Sequence, residues 1–96
     1  MWKAKTKDGK EVSELNTKWE DTKDNISELL LITKNNQIIN LPKNMDSYIQ
    51  FKSAMAELGI NKGVQIESRV IGFVIKGTKI LIRVNEKNNN INVEVI

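Results

Sequence analysis

The chain has no cysteine and no histidine among its 96 residues. The first absence excludes a disulfide framework and thiol chemistry. The second excludes an imidazole base and a histidine pH switch, and together they remove the usual zinc ligand set. Proline occurs once, at Pro42, and aromatic side chains are scarce, at 5%. No apolar run exceeds Leu29-Leu30-Leu31-Ile32, far short of the ~20 residues that a membrane span requires. The opening Met1-Trp2-Lys3-Ala4-Lys5 leads into polar sequence and not into an apolar signal segment. These features predict a cytoplasmic protein without a membrane partner.

The charge balance is mild. Lys and Arg number 15 against 12 Asp and Glu, for a net +3. Nucleic-acid domains concentrate basic residues on one face. Here Lys3, Lys5, Lys7 and Lys10 form the one cluster, and acidic residues follow at once, which argues against a nucleic-acid partner. Arginine occurs only as Arg69 and Arg83. Because a guanidinium is a planar fork and an ammonium a hydrated point charge, the two arginines stand out as binding candidates.

What the chain has in quantity is β-branched aliphatic residues, thirteen Ile and seven Val. That composition favours strands. The length makes residues 1–96 a single domain with a modest core, so oligomerisation is expected. The fold class read from the sequence is mainly β, a β-rich α+β arrangement of antiparallel hairpins, one short helix and a C-terminal three-strand meander.

Trp2 to Thr6 alternates apolar and basic residues, Asp8-Gly9 suits a tight turn, and Glu11 to Leu15 can return as the partner strand. Thr17 to Asn25 is polar around Trp19 and predicts a short helical turn, with Thr17 as N-cap and Glu20 completing a capping box. Leu29 to Thr33 and Gln37 to Leu41, joined by Lys34-Asn35-Asn36, read as a second hairpin. Tyr48 to Leu58 fits both periods, and the propensity of Ala54-Met55-Ala56-Glu57-Leu58, stopped by Gly59, assigns at least its second half to helix. From Val64 onward the alternation returns. A strand to Val74 carries a bulge or bend at Gly72, Lys76-Gly77 turns the chain, and strands over Lys79 to Val84 and Ile91 to Ile96 flank the polar loop of Asn85 to Asn90. Ile71, Phe73, Leu81 and Ile96 then fall on the face that should be wet, which a second subunit could cover. The last strand would be an exposed edge unless a partner caps it.

Without His or Cys, only carboxylates and lysines could act as acid or base. Glu67 and Glu94 form a conceivable carboxylate pair, but any meander offers such pairs, and no catalytic residue is assigned. A glycine-rich phosphate loop is lacking. Asp21 and Asp24 lack the calcium-loop pattern, so no metal and no cofactor is expected. Binding chemistry fares better. Twelve Asn with Gln37, Gln50 and Gln65 supply amides that read nucleobase edges, although Asn at turns is ordinary. Arg69, Phe73 and Arg83 would share one alternation face if Gly72 does not flip it, giving guanidinium forks for phosphate and a ring for a base. The run Tyr48-Ile49-Gln50-Phe51-Lys52-Ser53 is a second candidate wall, with Gln50 and Lys52 as its contacts. Trp2 and Trp19 read as core or interface anchors.

The segments Met1-Trp2-Lys3-Ala4, Lys7-Asp8-Gly9-Lys10, Trp19-Glu20-Asp21, Leu41-Pro42, Tyr48 to Ser53 and Ile66 to Phe73 resemble the small phage or prophage proteins that interfere with bacterial immunity. Within that group the chain is similar to the anti-Thoeris nucleotide sponges. This chain is shorter than such sponges and lacks the long C-terminal helices of one class. The resemblance implies sequestration, without cleavage, of a nucleotide immune signal such as a cyclic ADP-ribose isomer in the host cytoplasm. It implies an intersubunit pocket in which Arg69 and Arg83 neutralise pyrophosphate, Phe73 stacks on adenine, and Gln50 and Lys52 assist. The alternative is an inhibitor module that docks on a host defence enzyme through a strand edge or an apolar patch.

Overall fold

The structure is a computed structural model that describes residues 1–62, 69–85 and 87–96. Two antiparallel sheets and one long helix share one core. In chain order the elements are β1 (Trp2–Thr6), β2 (Glu11–Ser13), α1 (Trp19–Thr22), β3 (Ile26–Ile32), β4 (Ile38–Leu41), α2 (Asp46–Leu58), β5 (Val70–Ile75), β6 (Thr78–Val84) and β7 (Ile91–Val95). The first sheet runs β2-β1-β3-β4 and the second β5-β6-β7, so the mainly β reading and the C-terminal meander both hold.

The first hairpin forms around Gly9, whose φ of 87° lies where L side chains are strained. Along β1 the residues alternate strictly, with Trp2, Ala4 and Thr6 inward and Lys3 and Lys5 outward. The second hairpin turns at Asn36, held at a φ of 62°. Trp2, Trp19 and Phe51 then meet edge to face, with ring centroids 5.4 and 5.2 Å apart, and join β1, α1 and α2. The two tryptophans are core anchors.

α1 forms where expected but is capped differently. The residue before it is Lys18, without a side-chain cap, and its first N–H donates instead to Oδ1 of Asn61 at 2.9 Å. Thr17 shares its hydroxyl with Thr22 at 3.1 Å, and Glu20 pairs with Lys23 at 2.8 Å, so the expected capping box is absent.

The helical reading of Tyr48 to Leu58 applies to the whole stretch and extends it by two residues. Ser47, Tyr48, Phe51, Ala54, Met55 and Leu58 are buried at helical spacing, whereas Ile49, which a strand would have turned inward with Phe51, is 60% exposed. Phe51, Met55 and Leu58 are fully buried, and at about 1.5–3 kcal/mol each their burial outweighs the weak intrinsic preferences of the segment. Gly59 ends the helix in the left-handed conformation, with its N–H on Ala56 O and the Ile60 N–H on Met55 O.

In the meander the observed β5 begins at Val70, and the earlier part of the expected strand lies outside the described residues. The register of β5 with β6 is unbroken from Val70↔Arg83 to Ile75↔Thr78, so Gly72 makes no bulge. A Cβ at Gly72 would lie 3.0 Å from Leu81 Cδ2, and the glycine lets Leu81 lie across the strand. Phe73 and Ile75 point into the core with Ile80, Ile82, Val84, Ile91 and Val93, and Ile71 packs beside them. Placing Ile71 and Phe73 on a wet face is therefore corrected. The outer face keeps Val70, Gly72, Val74, Leu81 and Ile96.

Candidate functional site

The five residues singled out from the sequence do not converge. Phe73 is 9% exposed and its ring belongs to the core. Arg83 pairs with Val70 across the ladder, and strand alternation sends it to the face opposite Phe73. There its Nε lies 3.6 Å from Glu94 Oε1, an oxygen that Lys34 Nζ also reaches at 2.9 Å. The Lys34 hydrogen bond is the main cause that holds the Glu94 carboxyl below its ordinary range. Arg69 precedes β5 and donates weakly to the Glu57 carbonyl near the end of α2, at 3.4 Å. The expectation that Arg69, Phe73 and Arg83 share one face is overturned by this register. Glu67, proposed as a partner for Glu94, lies outside the described residues.

Gln50 and Lys52 also separate. Two positions apart on a helix, they point about 200° apart. Lys52 sits over the Tyr48 ring, 5.8 Å from its centroid, and 3.9 Å from Asp24 Oδ1. Gln50 instead faces an open basin of about 450 Å³ where the start of α2 meets the end of β5. Asn44, Asp46, Ser47 and Lys76 line it with Gln50, above Val74 and Ile75.

Local sequence explains how this basin arises. β5 and β6 are joined by Lys76-Gly77, with φ values of 48° and 80°, the pair of positive dihedrals that a two-residue hairpin turn needs. The tight turn fixes the Lys76 backbone beside α2. At the other end of β5, Arg69 reaches Glu57, so helix and strand run antiparallel. The helix starts after Met45, which is extended and supplies no side-chain cap. The N–H groups of the first turn have no intrahelical acceptor, although that of Tyr48 turns back to Met45 O at 3.1 Å. Ser47 is 5% exposed, and its hydroxyl has no hydrogen-bond partner among the described residues. A buried hydroxyl left in this state costs about 1–3 kcal/mol.

Sequence reasoning reached Gln50 but missed Ser47, Asp46, Asn44 and Lys76. The signal for the first three was present: Asn44-Met45-Asp46-Ser47 ahead of a run with helical period marks a helix start. Another basin of about 450 Å³ lies on the outer face of the four-stranded sheet, where Lys3 and Lys5 stand beside Glu11, Glu28 and Leu30. Its charges alternate across the strands, and it presents no uncapped helix end. Among the described residues no group of three or more acidic side chains is placed to hold a metal ion, and no helix is long and apolar enough to cross a membrane.

Compared with known proteins, the chain matches no family model, no curated protein and no solved structure.

Proposed function

We propose that the protein is a non-catalytic binder that captures a small nucleotide signal, of the cyclic ADP-ribose kind implied by the resemblance, and holds it intact. The observation that carries this reading is the basin at the start of α2, where Gln50 and Asn44 offer amides beside Ser47 and Lys76. Amides select a base edge or a ribose hydroxyl, and a cation with free N–H groups suits a pyrophosphate. The aromatic platform assigned to Phe73 is not part of it, so recognition here rests on polar contacts. To test the reading, the purified protein is incubated with a panel of cyclic and linear adenine nucleotides, freed of excess ligand and heated. Mass spectrometry of the supernatant should recover one cyclic compound unaltered. Recovery of none, or recovery only of a hydrolysed product, overturns it.

A second reading, docking on a host protein, is favoured by the outer face of the meander. Val70, Val74 and Ile96 are 43%, 54% and 68% exposed there. Solution mass by light scattering addresses the homo-oligomer that the first reading also proposes. A Val70→Lys variant that keeps ligand capture but loses inhibition of a defence enzyme would favour docking.

A further inference from the structure

Beyond the α2 basin, we infer that the outer face of the four-stranded sheet binds a phosphorylated sugar, with its phosphate on Lys3, Ser13 and Asn16 and its hydroxyls between Glu11 and Glu28. A basin of about 450 Å³ lies there, and strand register divides it into two ends. In one row across β1, Lys3 faces Ser13 of β2 on one side and Leu30 of β3 on the other. In the next row, about 7 Å along the strand, Lys5 stands between Glu11 and Glu28. The first row therefore carries donors and no carboxylate, since Glu14 turns its own away to the Trp2 and Ile91 N–H groups. Its two neutral donors are oriented by the backbone. The buried Ser13 hydroxyl accepts the Leu15 N–H at 3.2 Å and keeps its own proton to give. Asn16 Oδ1 accepts the Ser13 N–H at 2.9 Å, which leaves the amide NH2 for a ligand. None of the ion pairs formed among the described residues uses Lys3, Lys5, Glu11 or Glu28, so these charges are not tied to one another.

Each end selects a different group. At the first, an ammonium, a hydroxyl and an amide all donate, and phosphate oxygens accept from several directions. At the second, a ligand ammonium would meet Lys5 as well as the two glutamates. A sugar hydroxyl suits that end better, because it donates to a carboxylate and accepts from Lys5. Carboxylates hold ribose hydroxyls in the same way in dinucleotide sites. The half-buried Leu30 gives the sugar carbons an apolar floor. No aromatic ring lines the basin, so nothing there stacks a base. Two lysines and two glutamates cancel overall, which leaves each end weak alone and makes a ligand that spans both bind more tightly than its parts.

The test is an NMR titration of the whole chain with ribose 5-phosphate, with inorganic phosphate and with ribose, at matched ionic strength. Saturable amide shifts centred on Lys3, Lys5, Ser13 and Asn16 are expected, with ribose 5-phosphate binding about tenfold more tightly than either fragment. Lys3→Gln should weaken ribose 5-phosphate and inorganic phosphate alike, by about tenfold. Glu11→Gln and Glu28→Gln together should weaken ribose 5-phosphate several-fold and leave inorganic phosphate no weaker. All three positions are exposed, so the fold tolerates these changes. Shifts spread over the other surface lysines, no saturation, equal affinity for phosphate and ribose 5-phosphate, or no effect of the double variant would overturn the site. The nucleotide reading fails separately. Saturable binding at the sheet with no cyclic nucleotide retained removes that reading and keeps this site, whereas shifts centred on Asn44 and Gln50 instead do the reverse.

Discussion

Oε2 of Glu14 accepts the N–H of Ile91 at 2.9 Å across 77 positions of sequence. Its other oxygen takes the Trp2 N–H at 2.9 Å, so one carboxylate ties the first strand of one sheet to the last strand of the other. The side chain is only 3% exposed, and the Met1 amino group lies 3.5 Å away. Burial pushes the carboxyl up from its ordinary 4.5, against the pull of the Ile91 N–H, the amino group and the Trp2 N–H.

Glu14→Gln should therefore destabilise the fold by about 1–3 kcal/mol in urea unfolding, because its amide can accept only one of the two N–H groups. The pH dependence has a definite sign. With its folded pKa raised, Glu14 binds its proton more tightly in the folded state, so its contribution is fully present below pH 4.5 and is lost as pH rises through the folded value. The stability gap between wild type and Glu14→Gln should narrow over that rise, and a gap that widens would contradict the assignment.

Asn61 combines two roles that substitution can separate. It sits at a φ of 58° and accepts the Trp19 N–H. Asn61→Gly should lose only the cap, at about 1 kcal/mol, whereas Asn61→Ala adds a left-handed penalty of about 1 kcal/mol more. Thermal melting of the two variants checks the order.

Gly72→Ala should leave the fold unharmed or stabilise it by about 0.5 kcal/mol. The added methyl meets only the end of the half-buried Leu81 side chain, which has room to move, and glycine within a strand is entropically unfavourable. Urea midpoints measure this directly, and a loss above ~1 kcal/mol would mean that Leu81 is rigidly held.

Ser47→Ala should raise stability by about 1 kcal/mol, since it removes a buried hydroxyl that has no partner among the described residues. Equal or lower stability would place an unseen partner on the hydroxyl.

Phe51→Ala should cost about 3–5 kcal/mol, a large share of the 5–15 kcal/mol available to a domain of this kind. The ring touches Trp19, which in turn touches Trp2. Tryptophan fluorescence reports the loss, because both indoles are buried in the native fold.

Most of the architecture was legible because period and turn chemistry agreed. Asp8-Gly9, Lys34-Asn35-Asn36 and Lys76-Gly77 each turn the chain between alternating segments, and the first two hairpins and the meander follow. The helix was half legible, since Phe51 and Met55 satisfy both periods and only burial of Ser47 and exposure of Ile49 decide between them. The site was less so. Alternation along one strand does not state which residue lies opposite on the next, and the Val70↔Arg83 register separates Arg83 from Phe73. Nor does sequence reveal that Asn61 caps a helix 42 positions away.

The seam between the sheets also orders the folding reaction. β5, β6 and β7 pair with sequence neighbours, whereas the Lys34 N–H reaches Val93 O at 3.0 Å and Glu14 reaches Ile91 only after long loops close. Loop closure costs entropy before such contacts repay it, so the seam forms after the hairpins. For that interval the inner faces of both sheets stand open, and the nascent chain is at its most vulnerable to association with its own copies.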